Sequence, residues 1–256
     1  MSSWLVRALV AVLGLVLAAA TAGAAEDKKP RPLPLKERCV TAAERKGTVR
    51  FLASDGTRLV GVQFGRGPKG VVLAHQGDYG DFCVWVPYAR RLAGLGYRVL
   101  AFDHRGFGSS ASAKVRANSG RVDLDVVGAV RELRRRGARS VVLAGASLGG
   151  TAVLAAATQI QPAVQGVVSF GAPKVYERVS AIRAMARLTA PALFVSAEQD
   201  GLFADDAREL HAAAASTDKR VVIVPGSVHG TPLLREPALW TVFADWIAAH
   251  SPAPGS

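Results

Sequence analysis

The chain has 256 residues, of which 50% are hydrophobic and 20% charged. That suits one globular α/β-sized domain with a sizeable core and excludes a low-complexity or disordered chain. The formal net charge is +12, but the arginines are dispersed, and the densest group, Arg131 to Arg139, closes a helix that opens on Asp123 and Asp125. Acids at a helix start and bases at its end complement the helix dipole, so the charge is read as solvation and not as a nucleic-acid footprint.

The first 25 residues stand apart. Arg7 is their one charged residue, so residues 26–256 keep 12 − 1 = +11. An almost purely apolar run from Ala8 to Ala20 follows, then Thr21-Ala22-Gly23-Ala24-Ala25. A positive start, an apolar stretch and small residues at the end describe a signal peptide, with Ala22-Gly23-Ala24 or Ala20-Thr21-Ala22 at the cleavage site. The run is short for a membrane span, which needs about 20 apolar residues. No cysteine lies near the cleavage site, so no lipoprotein anchor is expected. The expectation is an exported, extracytoplasmic protein without stable membrane insertion after cleavage. Residues 26–47 read as an extended, charged and proline-containing leader. The domain proper is expected over 48–250, and 251–256 as a flexible tail.

From Thr48 onward strands and helices alternate. Val49–Leu52 and Arg58–Phe64 flank the turn Ser54-Asp55-Gly56, a hairpin signal. Strands are then expected at Val71–Ala74, Arg98–Phe102, Ser140–Ala144, Val164–Phe170, Ala192–Ala197 and Arg220–Val224. Helices are expected at Val84–Ala93, Val122–Arg136 (capped by Gly137), Leu148–Thr158, Val175–Leu188, Asp205–Ala215 and Leu239–Ala249. Near-continuous apolar strands, each followed by a helix, imply a mainly parallel sheet covered on both faces, with the opening hairpin as an antiparallel edge.

The chemistry gathers at strand ends. Gly145-Ala146-Ser147-Leu148-Gly149 is a G-x-S-x-G sequence that a strand enters and a helix leaves, so Ser147 belongs on a sharp, strained turn that lifts its hydroxyl above the sheet. A serine hydroxyl needs a base. Of the five histidines, His211 falls in a helix, His250 in the tail, and His75 and His104 end strands that precede Ser147. His229 follows the last strand, in a loop able to reach Ser147. The base needs an acid to hold its ring: Asp200, two residues into the loop after Ala192–Ala197, is favoured over its neighbour Glu198. An oxyanion needs donors; the amide of Leu148 is one, and the loop His75-Gln76-Gly77-Asp78-Tyr79-Gly80 offers the other from Gly77 or Gln76.

These pieces, with Tyr97–Ser110 and its Asp103-His104-Arg105-Gly106-Phe107-Gly108-Ser109-Ser110 loop, resemble the α/β-hydrolase superfamily across nearly all of residues 48–250. The resemblance implies an eight-stranded, mainly parallel sheet and a structural role for the Asp103–Ser110 loop. It also implies hydrolysis of an ester or related acyl bond through an acyl-enzyme on Ser147. Gln76 departs from the glycine the family often has after the histidine. The superfamily's lid is usually inserted after the strand ending near Phe170. Here only Gly171–Pro191 is available, and one helix fills it. The expectation is therefore no cap domain, an open cleft with Ser147 reachable from solvent, and a likeness to lidless esterases and dienelactone-hydrolase-like proteins. The substrate is expected to be a small-molecule or polymeric ester.

A peptidase or amidase using the same triad, and a non-catalytic binding protein on a hydrolase scaffold, are the rivals. No Cys/His metal spacing and no further glycine-rich phosphate loop occur, so neither metal nor cofactor is expected. No nucleic-acid partner is expected, and the chain is expected to act as a monomer. Cys39 and Cys83 are expected to pair as a disulfide, as two cysteines in an oxidising compartment do.

Overall fold

The valine-rich runs become strands because β-branched residues at successive positions pack well on both faces of a pleated sheet. In a computed structural model, which describes residues 31–77 and 80–251, eight of them form one sheet. They are β1 (Thr48–Leu52), β2 (Arg58–Phe64), β3 (Lys69–Ala74), β4 (Arg98–Phe102), β5 (Ser140–Ala146), β6 (Gly166–Phe170), β9 (Ala192–Ala197) and β10 (Lys219–Val224). Their order is β1-β2-β4-β3-β5-β6-β9-β10. The pairs from β4 to β10 are parallel, and β2 is antiparallel to both β1 and β4. A separate hairpin joins β7 (Val175–Tyr176) to β8 (Val179–Ser180). The expected signal peptide, residues 26–30 of the leader, Asp78, Tyr79 and residues 252–256 lie outside the described residues.

Alternate strand residues feed two cores. Val72, Ala74, Leu100, Phe102 and Leu143 face α3 (Asp123–Arg135), α4 (Leu148–Ala157), α5 (Ala181–Met185) and α6 (Phe203–Ala213). Val71, Leu73, Val99, Val142 and Ala144 face α2 (Val86–Gly94) and α7 (Pro237–Ala249). α3 shows the cause plainly. Val126, Ala129, Val130 and Leu133 recur at i, i+3, i+4 and i+7 and are all buried, which is one helix face. Truncating Leu133 to alanine there is worth about 2–5 kcal/mol. Gly137, just past the helix end, has φ +97°, the left-handed cap the sequence suggested.

Two expectations need correction. The segment Gly171–Pro191 is not one helix: it holds the β7–β8 hairpin and only then the five-residue α5. Glu177 turns the hairpin at φ +45°, a conformation no helix interior accepts. Ser180 then accepts a hydrogen bond from the Arg183 amide and caps α5, so the helix begins there. The hairpin packs against α4, so the segment remains too short for a cap domain. The leader is not extended throughout either. Thr41 and Glu44 close a reciprocal capping box on a short helix, α1 (Ala42–Arg45), a Thr-x-x-Glu pattern visible in the sequence.

Upstream of α1 the leader is fastened at several points. Arg50 Nε donates to the Leu33 carbonyl at 2.6 Å, the Lys36 amide donates to Ser109 Oγ at 2.7 Å, and Val40 is buried. Cys39 and Cys83 form the expected disulfide, with α-carbons 5.7 Å apart and a sequence separation of 44. Closing a loop of that length restricts the unfolded chain by roughly 4 kcal/mol in the chain-entropy account. Asp81 lies beside the two sulfurs, but these are bonded to each other and offer no thiolate to a metal.

Candidate active site

β5 runs straight into the elbow. Ser147 has φ +49° and ψ −121°, and among the described residues only Glu177 shares a positive φ outside glycine. A strained serine persists only when its surroundings over-determine it. Here they do: the Ser147 amide donates to the Phe170 carbonyl at 2.8 Å, and its carbonyl accepts from Thr151 at 3.0 Å. The flanking glycines are required by space. A Cβ on Gly145 would run into Gly149 and Gly150, and one on Gly149 into the carbonyls of Ala74 and His75. The turn therefore presses the serine between the end of β3 and the end of β6. Ser147 keeps 8% of its surface exposed, so only a small part of the residue meets solvent.

The acid and the base come from the next two strand ends. Asp200 follows β9 and is buried, and His229 lies in the loop after β10. Their side chains meet: His229 Nδ1 and Asp200 Oδ2 are 2.7 Å apart. Glu198 points elsewhere and pairs with Arg208 at 2.6 Å. The loops are stitched together by the Gln199 amide, which donates to the Gly226 carbonyl at 2.8 Å, and by the Gly226 amide, which donates to Gln199 Oε1 at 2.9 Å. Phe203 lies tilted on the imidazole, with ring centroids 4.3 Å apart. Gly171 also touches this ring: a Cβ there would stand 3.0 Å from His229 Nδ1. Gly171 directly follows Phe170, the residue that binds the Ser147 amide, so elbow and imidazole flank the same point of the chain. No hydrogen bond joins the Ser147 hydroxyl to His229 among the described residues. Such bonds commonly tighten only when substrate arrives.

On the other side of Ser147 stands the loop after β3. Gly77 packs on Leu148, where a Cβ would lie 3.0 Å from Leu148 Cδ1. The Gln76 side chain does not face the elbow. Its Oε1 accepts from the amide and hydroxyl of Thr231, at 3.1 and 3.0 Å, and so ties this loop to the His229 loop. Beneath them His75 is wholly buried, and burial, aided by the neighbouring His104, holds its imidazole well below the ordinary histidine range. It is therefore neutral. Yet the Gly77 amide points at its Nδ1 and the His104 amide at its Nε2, each at 3.1 Å. A neutral imidazole has one acceptor nitrogen, so it serves only one of these amides at a time.

The Asp103–Ser110 loop is structural, as its resemblance implied. Arg105 makes bonds of 2.7–3.1 Å to Asp125 and Asp55, and His104 Nδ1 lies 3.4 Å from Asp125. Burial alone would raise the Asp55 carboxyl, but Arg105 and the Thr57 amide hold it down at about 2. Sequence reasoning missed Gly171, Phe203 and Thr231. Phe203 had a weak signal, as an aromatic three residues after the acid; the other two carried none, because their roles arise from contacts across the sheet edge.

Comparisons with known proteins bear on the fold and the family. The profile of a family described as "Serine aminopeptidase, S33" matches residues 66–180. An uncharacterized protein of Mycobacterium tuberculosis is 29% identical over 70% of this chain and 71% of its own length. An esterase of Pyrococcus furiosus superposes with a TM-score of 0.69 at 15% identity, covering 86% of this chain and 97% of that one. The esterase domain of a Rhodothermus marinus protein gives 0.57 at 25% identity, over 71% and 88%.

Proposed function

Because the chain belongs to the α/β-hydrolase superfamily, we propose that it is an exported serine hydrolase that cleaves carboxylic esters through Ser147, His229 and Asp200. The observation that carries the reading is the strained Ser147 turn bonded to Phe170, next to Gly171, against which the His229 ring of the His229–Asp200 pair packs. The imidazole takes the serine proton as the hydroxyl attacks the ester carbonyl, Asp200 steadies the imidazolium, and the proton then passes to the leaving alkoxide. Water repeats the sequence on the acyl-enzyme. The Cys39–Cys83 disulfide supports export, since such bonds persist in oxidising compartments.

The oxyanion is met by the Leu148 amide at the start of α4 and, in this reading, by the Gly77 amide. The close packing of Gly77 on Leu148, directly after the serine, supports Gly77 over Gln76, whose side chain is engaged with Thr231.

Ser147→Ala is expected to lower kcat on a short activated ester by at least about 10³-fold, since triad members act as a unit, and to abolish labelling by an organophosphate. Near-native turnover in that variant overturns the reading. The match to a family described as a serine aminopeptidase favours a second reading, amide hydrolysis by the same residues. Preferential cleavage of aminoacyl anilides over matched esters would select it.

A further inference from the structure

Six large hydrophobic side chains stand exposed among the described residues, and two of them, Leu202 and Val228, lie on the two loops that carry the catalytic pair. Leu202 is 76% exposed two residues after Asp200, and Val228 is 47% exposed directly before His229. The paired hydrogen bonds between Gln199 and Gly226 hold these loops side by side. Phe203, next to Leu202, already covers one face of the imidazole. Val228 also lines a groove of about 710 Å³ that continues between β10 and α7, walled by Val224, Pro225, Pro232, Leu233 and Leu239. Its charged lining residues, Arg235 and Glu236, are of opposite sign. The nearest acids on the Asp200 loop, Glu198 and Asp205, are both tied to Arg208.

Scattered exposed hydrophobics need no explanation, but apolar surface gathered at a cleft and continuous with a groove marks a ligand. We infer that Leu202 and Val228 form an apolar shelf beside His229 that takes up the extended hydrocarbon part of an uncharged ester, with the groove accommodating its length. The inference rests on the hydrolase reading above and adds a substrate class to it. The ester carbonyl sits at Ser147, the leaving alkoxide takes its proton from His229, and the hydrocarbon runs outward over Val228.

The test is a series of p-nitrophenyl esters from acetate to octanoate, kept below their solubility limits, on the wild type, on Leu202→Ser/Val228→Ser, and on Leu202→Ile/Val228→Ile. A fully buried methylene is worth about fourfold in binding, so the wild-type kcat/KM is expected to climb by at least ~30-fold across the series. The ratio of octanoate to acetate is expected to fall at least ~10-fold in the serine variant and to hold in the isoleucine variant, which keeps the apolar surface. Acetate turnover reports that each variant is folded. A flat wild-type profile, or equal loss on both substrates in the serine variant, overturns the shelf while leaving the hydrolase reading intact. Failure of the wild type to cleave any ester, or hydrolysis that survives Ser147→Ala, overturns the hydrolase reading instead.

Discussion

Of the three histidine–aspartate pairs among the described residues, two contain a histidine that follows a strand, and these have opposite fates. His229 and Asp200 lie 2.7 Å apart at the cleft, with 29% of the histidine side chain exposed. His104 and Asp125 lie 3.4 Å apart with neither side chain exposed at all. The second pair is also committed: Asp125 Oδ1 is held by Arg105, which reaches on to Asp55. A carboxylate beside an imidazole therefore does not make a catalytic pair. In the proposed mechanism, access to a nucleophile and freedom from a competing guanidinium do.

The largest effect that would sharpen this contrast is expected at Asp200. Asp200→Asn keeps the shape but loses the charge and the tautomer control, and is expected to lower kcat on an activated ester by about 10³–10⁴-fold. Its urea midpoint should stay near that of the wild type. Unchanged turnover would mean that the pair at the cleft is not the catalytic one. Asp125→Ala is expected to do the reverse. It leaves the Arg105 guanidinium buried with one partner fewer, a loss of about 3–5 kcal/mol of stability by denaturant unfolding. Turnover per folded molecule should survive. If the Asp125 variant is instead stable and inactive, the two pairs have been assigned the wrong way round.

A third buried carboxyl offers a smaller, pH-dependent effect. Burial pushes Asp103 up, the Ser109 amide pulls it down, the Glu37 carboxyl beside it pushes it up again, and the result is about 8. In the unfolded chain an aspartate titrates near about 3.9. The folded state thus keeps a proton that the unfolded state has released, so this contribution is fully present below about pH 4 and is lost as pH rises toward about 8. Thermal unfolding of Asp103→Asn, whose side chain is neutral throughout, is expected to show a flatter decline over that window than the wild type. Parallel curves would refute the assignment. The smallest effect is expected at Glu198, whose bond to Arg208 is solvent-exposed on both sides. Glu198→Gln should change stability by about 0–1 kcal/mol and kcat by less than about twofold. A large kcat loss would bring Glu198 back as the acid.

Much of the site was legible from local pattern. Ser147 announced itself because its chemistry needs a strand, a sharp turn and a helix in succession, and all three leave marks within twenty residues. Asp200 and His229 followed from chain order and from the strands they end. Gly137, Thr41 and Glu44 also act through neighbours a few residues away. Val175–Leu188 misled because its apolar spacing fits a helix, while the turn at Glu177 and the cap at Ser180 interrupt it. The slight exposure of Ser147 was hidden for a different reason. The carbonyls of Ala74 and His75 at the end of β3, and of Phe170 at the end of β6, approach the elbow from two other strands.

The sequence by itself determined the alternation of strands and helices, the elbow, the order of the proposed catalytic residues and the two cysteines. Each of these rests on interactions between residues close in the chain or on compositional need. Only the tertiary structure decided which carboxylate meets His229, that Gln76 braces Thr231 instead of facing the elbow, and that Gly171 must leave room for the imidazole. It alone joined the loops that carry Leu202 and Val228, through Gln199 and Gly226. Those outcomes depend on which strand ends become neighbours in the order β3-β5-β6-β9-β10, and that order is a property of the packed sheet that no short stretch of sequence contains.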